Sequence, residues 1–158
     1  MSKEMFAAGL SALQHRNLTE AELCFSKAIQ ENPENPNYRY YRASVLRELG
    51  KSDEAESDLT SALESAPESY PIRYARGELY LEIGEMEKAE ADFSRIIECE
   101  ADGYWKALAF LGRGVIFLES GDIESAIIDL SDAEDLAVKD GDKGLLARIS
   151  SELERSGF

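Results

Sequence analysis

The chain has 158 residues, enough for one domain with a continuous core, and 44% of them are hydrophobic, as in folded globular proteins. Its formal net charge of −15 disfavours binding to nucleic acid or to anionic membranes. The charge favours a basic or apolar partner, unless it simply keeps exposed helix faces soluble. No signal peptide is visible and no apolar run is long enough to span a membrane, so a cytoplasmic location is expected.

The most regular feature of the chain is a spacing of 34 residues between equivalent alanines. A large apolar residue follows each alanine by four positions, and a small residue precedes it by twelve. A fourth copy, around Ala126, arrives 37 residues after the third. A period in this range predicts an all-α chain of stacked helix pairs. The first three copies are Gly9, Ala21 and Phe25; Ala43, Ala55 and Leu59; and Gly77, Ala89 and Phe93.

Each repeat divides into two helices, which we call helix A and helix B. In the second repeat Asn35 is placed to cap helix A, and Pro36 suits its first position. Glycine ends helix A in the second to fourth repeats by supplying a left-handed residue, a role that falls to Asn17 in the first. The glycines are Gly50, Gly84 and Gly121. The predicted repeats are 2–35, 36–69, 70–103 and 107–140.

A last helix is predicted over 141–156, after a turn at Asp140-Gly141-Asp142. Leu145 and Ile149 belong to its apolar stripe. An end repeat needs such a capping helix, because its outer face would otherwise be bare hydrophobic surface. The repeats and this helix together predict a single domain over 1–158.

One repeat shows the full pattern most clearly: Gly77-Glu78-Leu79-Tyr80, then Ala89-Glu90-Ala91-Asp92-Phe93. In this pattern the chain resembles tetratricopeptide-repeat (TPR) proteins over residues 2–140. The resemblance implies a right-handed α-solenoid of antiparallel helix pairs. It also implies a non-catalytic scaffold that binds a protein or peptide segment in its concave groove. The proline that closes a repeat in this family is lost in the last two repeats, at Ala101 and Val138.

Three repeats carry an arginine in helix A and an aspartate sixteen residues later in helix B. The first repeat lacks both, with Ala8 and Cys24 at these places. Because the two residue types are present or absent together, we predict ion pairs between helix A and helix B, with ligand-binding arginines as the alternative. The predicted pairs are Arg42 with Asp58, Arg76 with Asp92, and Arg113 with Asp129.

The sequence contains no recognisable motif for catalysis or for binding a metal or cofactor. His15 is the one histidine, in a turn, and no motif for a metal, a phosphate or a cofactor accompanies it. Cys24 and Cys99 lie far apart in predicted helices and are expected to be buried free thiols. No acid–base constellation is recognisable among the carboxylates. We therefore predict no enzymatic activity, no metal and no cofactor.

The resemblance implies that helix A of each repeat lines the inner wall of the solenoid. Some relatives grip a peptide's terminal carboxylate there with basic and amide side chains, a carboxylate clamp. Here the clamp positions hold Phe6, Leu10, Tyr41, Pro71 and Ala75, so the clamp is absent. Tyr40 and Tyr74 are either interface anchors or rings that pack along the helices. The candidate contact residues are Tyr40, Tyr41, Ser44, Arg47, Tyr74, Glu78, Leu81, Trp105, Leu108, Leu111 and Val115.

The break in the period is the insertion Tyr104–Lys106, which is expected to lengthen helix A of the fourth repeat by nearly a turn. This helix has almost no polar side, so it requires cover on every side. The cover is the C-terminal segment, a second copy of the chain or a partner peptide. A homodimer through Trp105 and Leu111 is therefore the alternative function. Trp105 is otherwise a cap on the third repeat.

Overall fold

The computed structural model describes residues 1–99 and 101–155. These residues form helices joined by short connections, with no strand among them. In chain order the helices are α1 Ser2–Gln14, α2 Leu18–Glu31, α3 Pro36–Glu48, α4 Ser52–Ser65, α5 Tyr70–Ile83, α6 Met86–Glu98, α7 Gly103–Ser120, α8 Ile123–Asp140 and α9 Lys143–Arg155. The odd-numbered helices α1 to α7 are helix A of the four repeats, and the even-numbered ones are helix B.

The predicted helix starts and ends are confirmed where their capping residues were identified. The Asn35 side chain accepts a hydrogen bond from the Asn37 amide at 3.0 Å, and Pro36 is the first residue of α3. The glycines after α3, α5 and α7 are left-handed, with φ of +74°, +80° and +82°. Gly141 after α8 has φ of +72°, so the predicted turn between α8 and α9 is also confirmed.

The prediction for Asn17 is wrong. Arg16 takes the left-handed conformation after α1, with φ of +55°. Asn17 is instead the N-terminal cap of α2: its side-chain oxygen accepts from the Glu20 amide at 3.3 Å, and its amide group donates to Glu20 Oε2 at 2.7 Å. As a cap, the Asn17 side chain accepts a hydrogen bond from an amide in the first turn of α2, and a left-handed Asn17 would leave that amide without this acceptor.

The chain divides into two compact units, an N-terminal unit of Met1–Ile72 and a C-terminal unit from Arg73 onward. In the N-terminal unit α1 packs on α2, α2 on α3 and α3 on α4. In the C-terminal unit α6 packs on α7, α7 on α8, and α9 on both α7 and α8. Within each unit these helices therefore pack on their neighbours in the chain, as helical repeats do.

The large residues of helix B pack directly against the backbone at the small residues of helix A. Phe93 is fully buried, and a Cβ atom added to Gly77 would lie 2.7 Å from its ring. A Cβ on Gly112 of α7 would lie equally close to the same ring. Gly9 meets Phe25 in the same way. The predicted close approach of the helix pairs is confirmed, and Phe93 additionally joins α6 to the next helix A.

The fourth repeat has the longest helices. Both α7 and α8 contain 18 residues, whereas α1 to α6 contain 13 or 14. The insertion Tyr104–Lys106 lies in the first turn of α7, where the Asp102 side chain accepts from the Trp105 amide at 3.1 Å. The predicted lengthening of this helix is confirmed.

The capping helix is confirmed as α9, whose residues Leu145 and Ile149 are buried. Its predicted end at residue 156 lies outside the described residues. Cys24 and Cys99 are half-buried thiols, and Cys99 follows α6 rather than lying within it. Within the described ranges, no helix has the length and apolar character needed to span a membrane.

Candidate functional site

The three repeated arginines are engaged in forked ion pairs and are not open to a ligand. Asp129 accepts from Arg113 Nε at 2.7 Å and from Nη2 at 2.8 Å. The other two pairs have the same two-bond geometry, with distances of 2.6–2.8 Å. All three aspartates are buried, with 3% or 4% of their surface exposed. The predicted ion pairs between helix A and helix B are confirmed.

Two further kinds of contact in this network were not predicted from the sequence. Arg39 contacts Asp58 at 3.3 Å, and Arg73 contacts Asp92 at 3.5 Å. The remaining guanidinium nitrogen of Arg42, Nη1, donates to Ser26 Oγ, and Nη1 of Arg113 donates to Ser94 Oγ, both at 3.0 Å. These serines belong to helix B of the preceding repeat. Ser26 and Ser94 are separated by two repeat lengths, and this spacing could have been used to predict their hydrogen bonds to the arginines.

In the N-terminal unit, the candidate residues of α3 lie on two different faces of the helix. Tyr40, Ser44 and Arg47 are spaced so that they share one helix face, and all three are half-buried. Ser44 Oγ donates to the Tyr40 carbonyl at 3.2 Å. Tyr41 instead packs with aromatic rings, 5.2 Å from Phe6 and 5.9 Å from Phe25 between centroids. Tyr41 therefore belongs to the packing of this unit.

In the C-terminal unit, Tyr74, Glu78 and Leu81 occupy the same places on α5 that Tyr40, Ser44 and Arg47 occupy on α3. The Tyr74 hydroxyl donates to Glu78 Oε1 at 2.8 Å. Its ring lies 5.6 Å from Phe93 and 6.0 Å from Trp105. Tyr74 is therefore a packed ring whose polar end is held at the helix face, which combines the two interpretations of the sequence.

The phenol of Tyr74 is hard to ionise. Burial raises its pKa well above the ordinary value of 10.0, and the charge and hydrogen bond of Glu78 raise it further. The positive charge of Arg148 on α9 lowers the pKa in part.

A raised pKa in the folded state means that stability is lost as pH rises past the unfolded value. We expect the free energy of unfolding of the unmutated protein to fall more steeply between about pH 9 and 11 than that of Tyr74→Phe. Urea denaturation of both proteins across this range measures the difference. Parallel decline of the two curves would contradict the placement of the phenol.

Leu108 and Leu111, two of the candidate contact residues, are buried within the chain itself. They are 5% and 3% exposed and lie in one core cluster with Leu145 and Ile149 of α9. The C-terminal segment, one of the three kinds of cover predicted for α7, packs on this helix as α9. Val115 remains half-buried beside this cluster. The physical reason is the apolar stripe of α9, which buries the same face that a partner was expected to use.

Trp105 also packs against this cluster, with Tyr104 edge-on to it at 5.2 Å. Tyr104 is 45% exposed, whereas Trp105 is half-buried. The tryptophan therefore combines packing on Tyr74 with a partly open edge.

A small cavity of about 170 Å³ lies between α7 and α9. One of its polar groups, Glu152, has a carboxylate oxygen that is shielded from solvent and accepts no hydrogen bond. The same oxygen lies 3.3 Å from Arg155 Nη2, an ion pair without hydrogen-bond geometry. The cavity is lined by Leu111, Val115, Arg148, Ser151 and Glu152.

Metal-binding side chains are scattered over the described parts of the chain, where no group of three or more His, Cys, Asp or Glu residues could hold an ion. His15 follows α1, and its Nδ1 lies 2.8 Å from the Ser11 carbonyl.

Solved structures with the same fold are numerous, and three illustrate the likeness. YrrB, described as a TPR protein with an unusual peptide-binding site, is 24% identical over 95% of this chain and 74% of its own, with a TM-score of 0.77. The first TPR of Spaghetti (RPAP3), bound to the HSP90 peptide SRMEEVD, is 23% identical over 76% of this chain and 93% of its own, at 0.69. MamA 41-end from Desulfovibrio magneticus RS-1 is 20% identical over 98% and 96%, at 0.75.

No curated protein sequence matches the chain significantly. Two family models, both described as tetratricopeptide repeat, match residues 6–58 and 46–109. Together they span more than half of the 158 residues. The helix pairs, the 34-residue period and the shared fold agree with these matches. The chain is an all-α helical-repeat solenoid, and it belongs to the tetratricopeptide-repeat family.

Proposed function

We propose that this protein is a non-catalytic cytoplasmic scaffold that binds a segment of another protein on the exposed faces of helix A. TPR proteins serve as protein–protein interaction scaffolds, and peptide binding is described for YrrB and for the first TPR of Spaghetti. The observation that carries the proposal is the repeated placement of partly open aromatic, polar and aliphatic side chains. The proposed contact residues are Tyr40, Ser44 and Arg47 in the N-terminal unit, and Tyr74, Glu78, Leu81, Trp105 and Val115 in the C-terminal unit.

These side chains suit recognition because they combine apolar area with hydrogen-bonding ends. Tyrosine and tryptophan bury a large surface with few rotatable bonds, and tyrosine keeps a hydroxyl for specificity. Tyr40 and Tyr74 are each half-buried, so part of each ring remains available. A bound segment would cover these partial surfaces without requiring the core to open.

The partner is proposed to be basic and apolar rather than acidic. The net charge of −15 attracts a basic segment and raises its rate of association. The clamp positions include Phe6, Leu10 and Tyr41, which offer no cation to a terminal carboxylate. The partner therefore differs in chemistry from the acidic peptide SRMEEVD that Spaghetti binds.

The test is to isolate partners on the immobilised protein from its source cells, and then to measure the affinity of the purified partner by calorimetry. We expect Tyr40→Ala and Leu81→Ala each to weaken binding about tenfold or more, the effect of losing a buried interface contact. Leu23→Ala on α2 and Ile128→Ala on α8 are matched controls, because these side chains are 55% and 57% exposed on helix B.

Unchanged affinity in both helix-A variants, or a loss confined to the helix-B controls, would contradict the proposal. Thermal unfolding of all four variants separates loss of binding from loss of folding.

A further inference from the structure

We propose that the cavity between α7 and α9 is a pocket for the side chain of a glutamine in the bound segment. The existence of such a segment rests on the proposed function, to which this inference adds the chemistry of one of its residues. The pocket itself belongs to the C-terminal unit, and a small amide compound tests it without any partner. Its lining residues are Leu111 and Val115 of α7 and Arg148, Ser151 and Glu152 of α9.

The cavity lies at the position on α7 that corresponds to the proposed contact face of α5. Leu111 and Val115 follow Tyr74 and Glu78 by 37 residues, so they occupy the same places in their repeat. The interval exceeds the usual 34 residues by the length of the insertion Tyr104–Lys106. α9 packs on α7 and buries Leu111, but it leaves Val115 half-buried. The cavity is therefore a part of the α7 contact face that the C-terminal helix leaves open.

The size of the cavity suits a single side chain. Its volume is about 170 Å³. An engineered cavity of about 150 Å³ in another protein holds one benzene molecule. Leu111 and Val115 provide apolar surface, on which the two methylene groups of a glutamine would be removed from water. Asparagine, with one methylene group, would gain less from this surface.

The polar residues of the cavity offer both an acceptor and donors. One carboxylate oxygen of Glu152 is shielded from solvent and accepts no hydrogen bond from the described part of the chain. A donor brought to this oxygen would gain a charge-assisted hydrogen bond. The guanidinium of Arg148 has only donors, and the Ser151 hydroxyl both donates and accepts. A primary amide carries two N–H donors and a carbonyl acceptor on one planar group, so it satisfies the acidic and the basic side chain together.

The local charge favours a neutral occupant over a charged one. Arg155 Nη2 lies 3.3 Å from the shielded oxygen of Glu152, so this carboxylate already has a cation beside it. A lysine of the segment would add a further positive charge where Arg148 is also present. A glutamate of the segment would bring its carboxylate close to that of Glu152, and like charges repel at such distances. An amide avoids both repulsions. The basic residues that the net charge of −15 attracts are therefore expected elsewhere along the segment.

The experiment is a titration of the whole, isotope-labelled chain with N-acetylglutamine methylamide, followed by the backbone amide signals of α7 and α9 in magnetic resonance spectra. A dissociation constant in the millimolar range is expected for so small a ligand. Three matched compounds have the same backbone and differ in the side chain. At neutral pH the norleucine compound is apolar, the lysine compound is positive and the glutamate compound is negative.

We expect saturable shifts of the signals of Val115, Ser151 and Glu152 with the glutamine compound. The three matched compounds should each bind at least about tenfold more weakly. The signals of α2, a helix of the N-terminal unit, should not change and serve as the internal control.

Variants of the lining residues test the placement of the ligand. Glu152→Met, which removes the acceptor at similar size, should weaken the glutamine compound about tenfold. Val115→Phe should abolish its binding by filling the cavity. Glu154→Met and Ser150→Ala are matched controls, because these exposed residues of α9 are not among those that line the cavity. Thermal unfolding confirms that each variant is folded.

Equal or tighter binding of any of the three matched compounds would overturn the inference. The absence of saturable shifts in α7 and α9, or unchanged affinity in either Glu152→Met or Val115→Phe, would also overturn it. These outcomes are distinct from failure of the proposed function. The titration reports on the pocket alone, so it can succeed when no partner is captured, and it can fail while a captured partner binds α3 and α5.

Discussion

Phe93→Ala should lower the free energy of unfolding by about 3–5 kcal/mol, the cost of removing a buried phenylalanine from a core that collapses only in part. Phe93 is fully buried and touches Gly77 of α5, Gly112 of α7 and the ring of Tyr74. Its loss therefore leaves a cavity where three helices meet. Urea denaturation followed by circular dichroism measures the change.

Gly77→Ala provides the control for this packing. A Cβ at this position would lie 2.7 Å from Phe93 Cε1, so Gly77→Ala should destabilise the protein when Phe93 is present. The same substitution should cost much less in the Phe93→Ala background, since the ring it meets is gone. A loss below about 1 kcal/mol for Phe93→Ala, or additive effects of the two changes, would contradict the placement of the ring.

Arg113→Ala should lower the free energy of unfolding by about 3–5 kcal/mol, because it leaves the buried carboxylate of Asp129 without its cation. Arg42→Ala should cost less. Asp58 keeps Arg39 at 3.3 Å after that change, whereas α7 has Phe110 at the position equivalent to Arg39. In the described part of the chain, Arg113 is the one arginine in contact with Asp129. Chemical denaturation of both variants gives the comparison.

Removing the stranded charge should restore part of the stability. Asp129→Asn combined with Arg113→Ala should be less unstable than the sum of the two single changes, as for groups that form one interaction. Additivity of the two, or an equal loss for Arg42→Ala and Arg113→Ala, would show that the pairs do not act as the structure indicates.

The repeating parts of this protein could be predicted from the sequence, because each physical requirement recurs at a fixed interval. Gly77 and Phe93 identify a close helix contact, and Gly50 identifies the end of a helix. Arg42 and Asp58 identify an ion pair, since the first repeat lacks both members. The fold, the helix pairs and the buried pairs all follow from this periodic information.

The features that could not be predicted are contacts and turns that do not recur in every repeat. Leu111 was predicted as a contact residue because the apolar surface of α7 does not by itself distinguish cover by the C-terminal segment from cover by a second copy or a partner. Arg16, not Asn17, is the left-handed residue after α1, because the Asn17 side chain is held as the N-terminal cap of α2 by its hydrogen bonds with Glu20.

A partner segment bound on helix A should protect the backbone amides beneath it from hydrogen–deuterium exchange. With the purified partner bound, exchange should be slower in α3 and α5 and unchanged in α2, α4 and α6. Protection confined to the helix-B elements, with α3 and α5 unchanged, would contradict it.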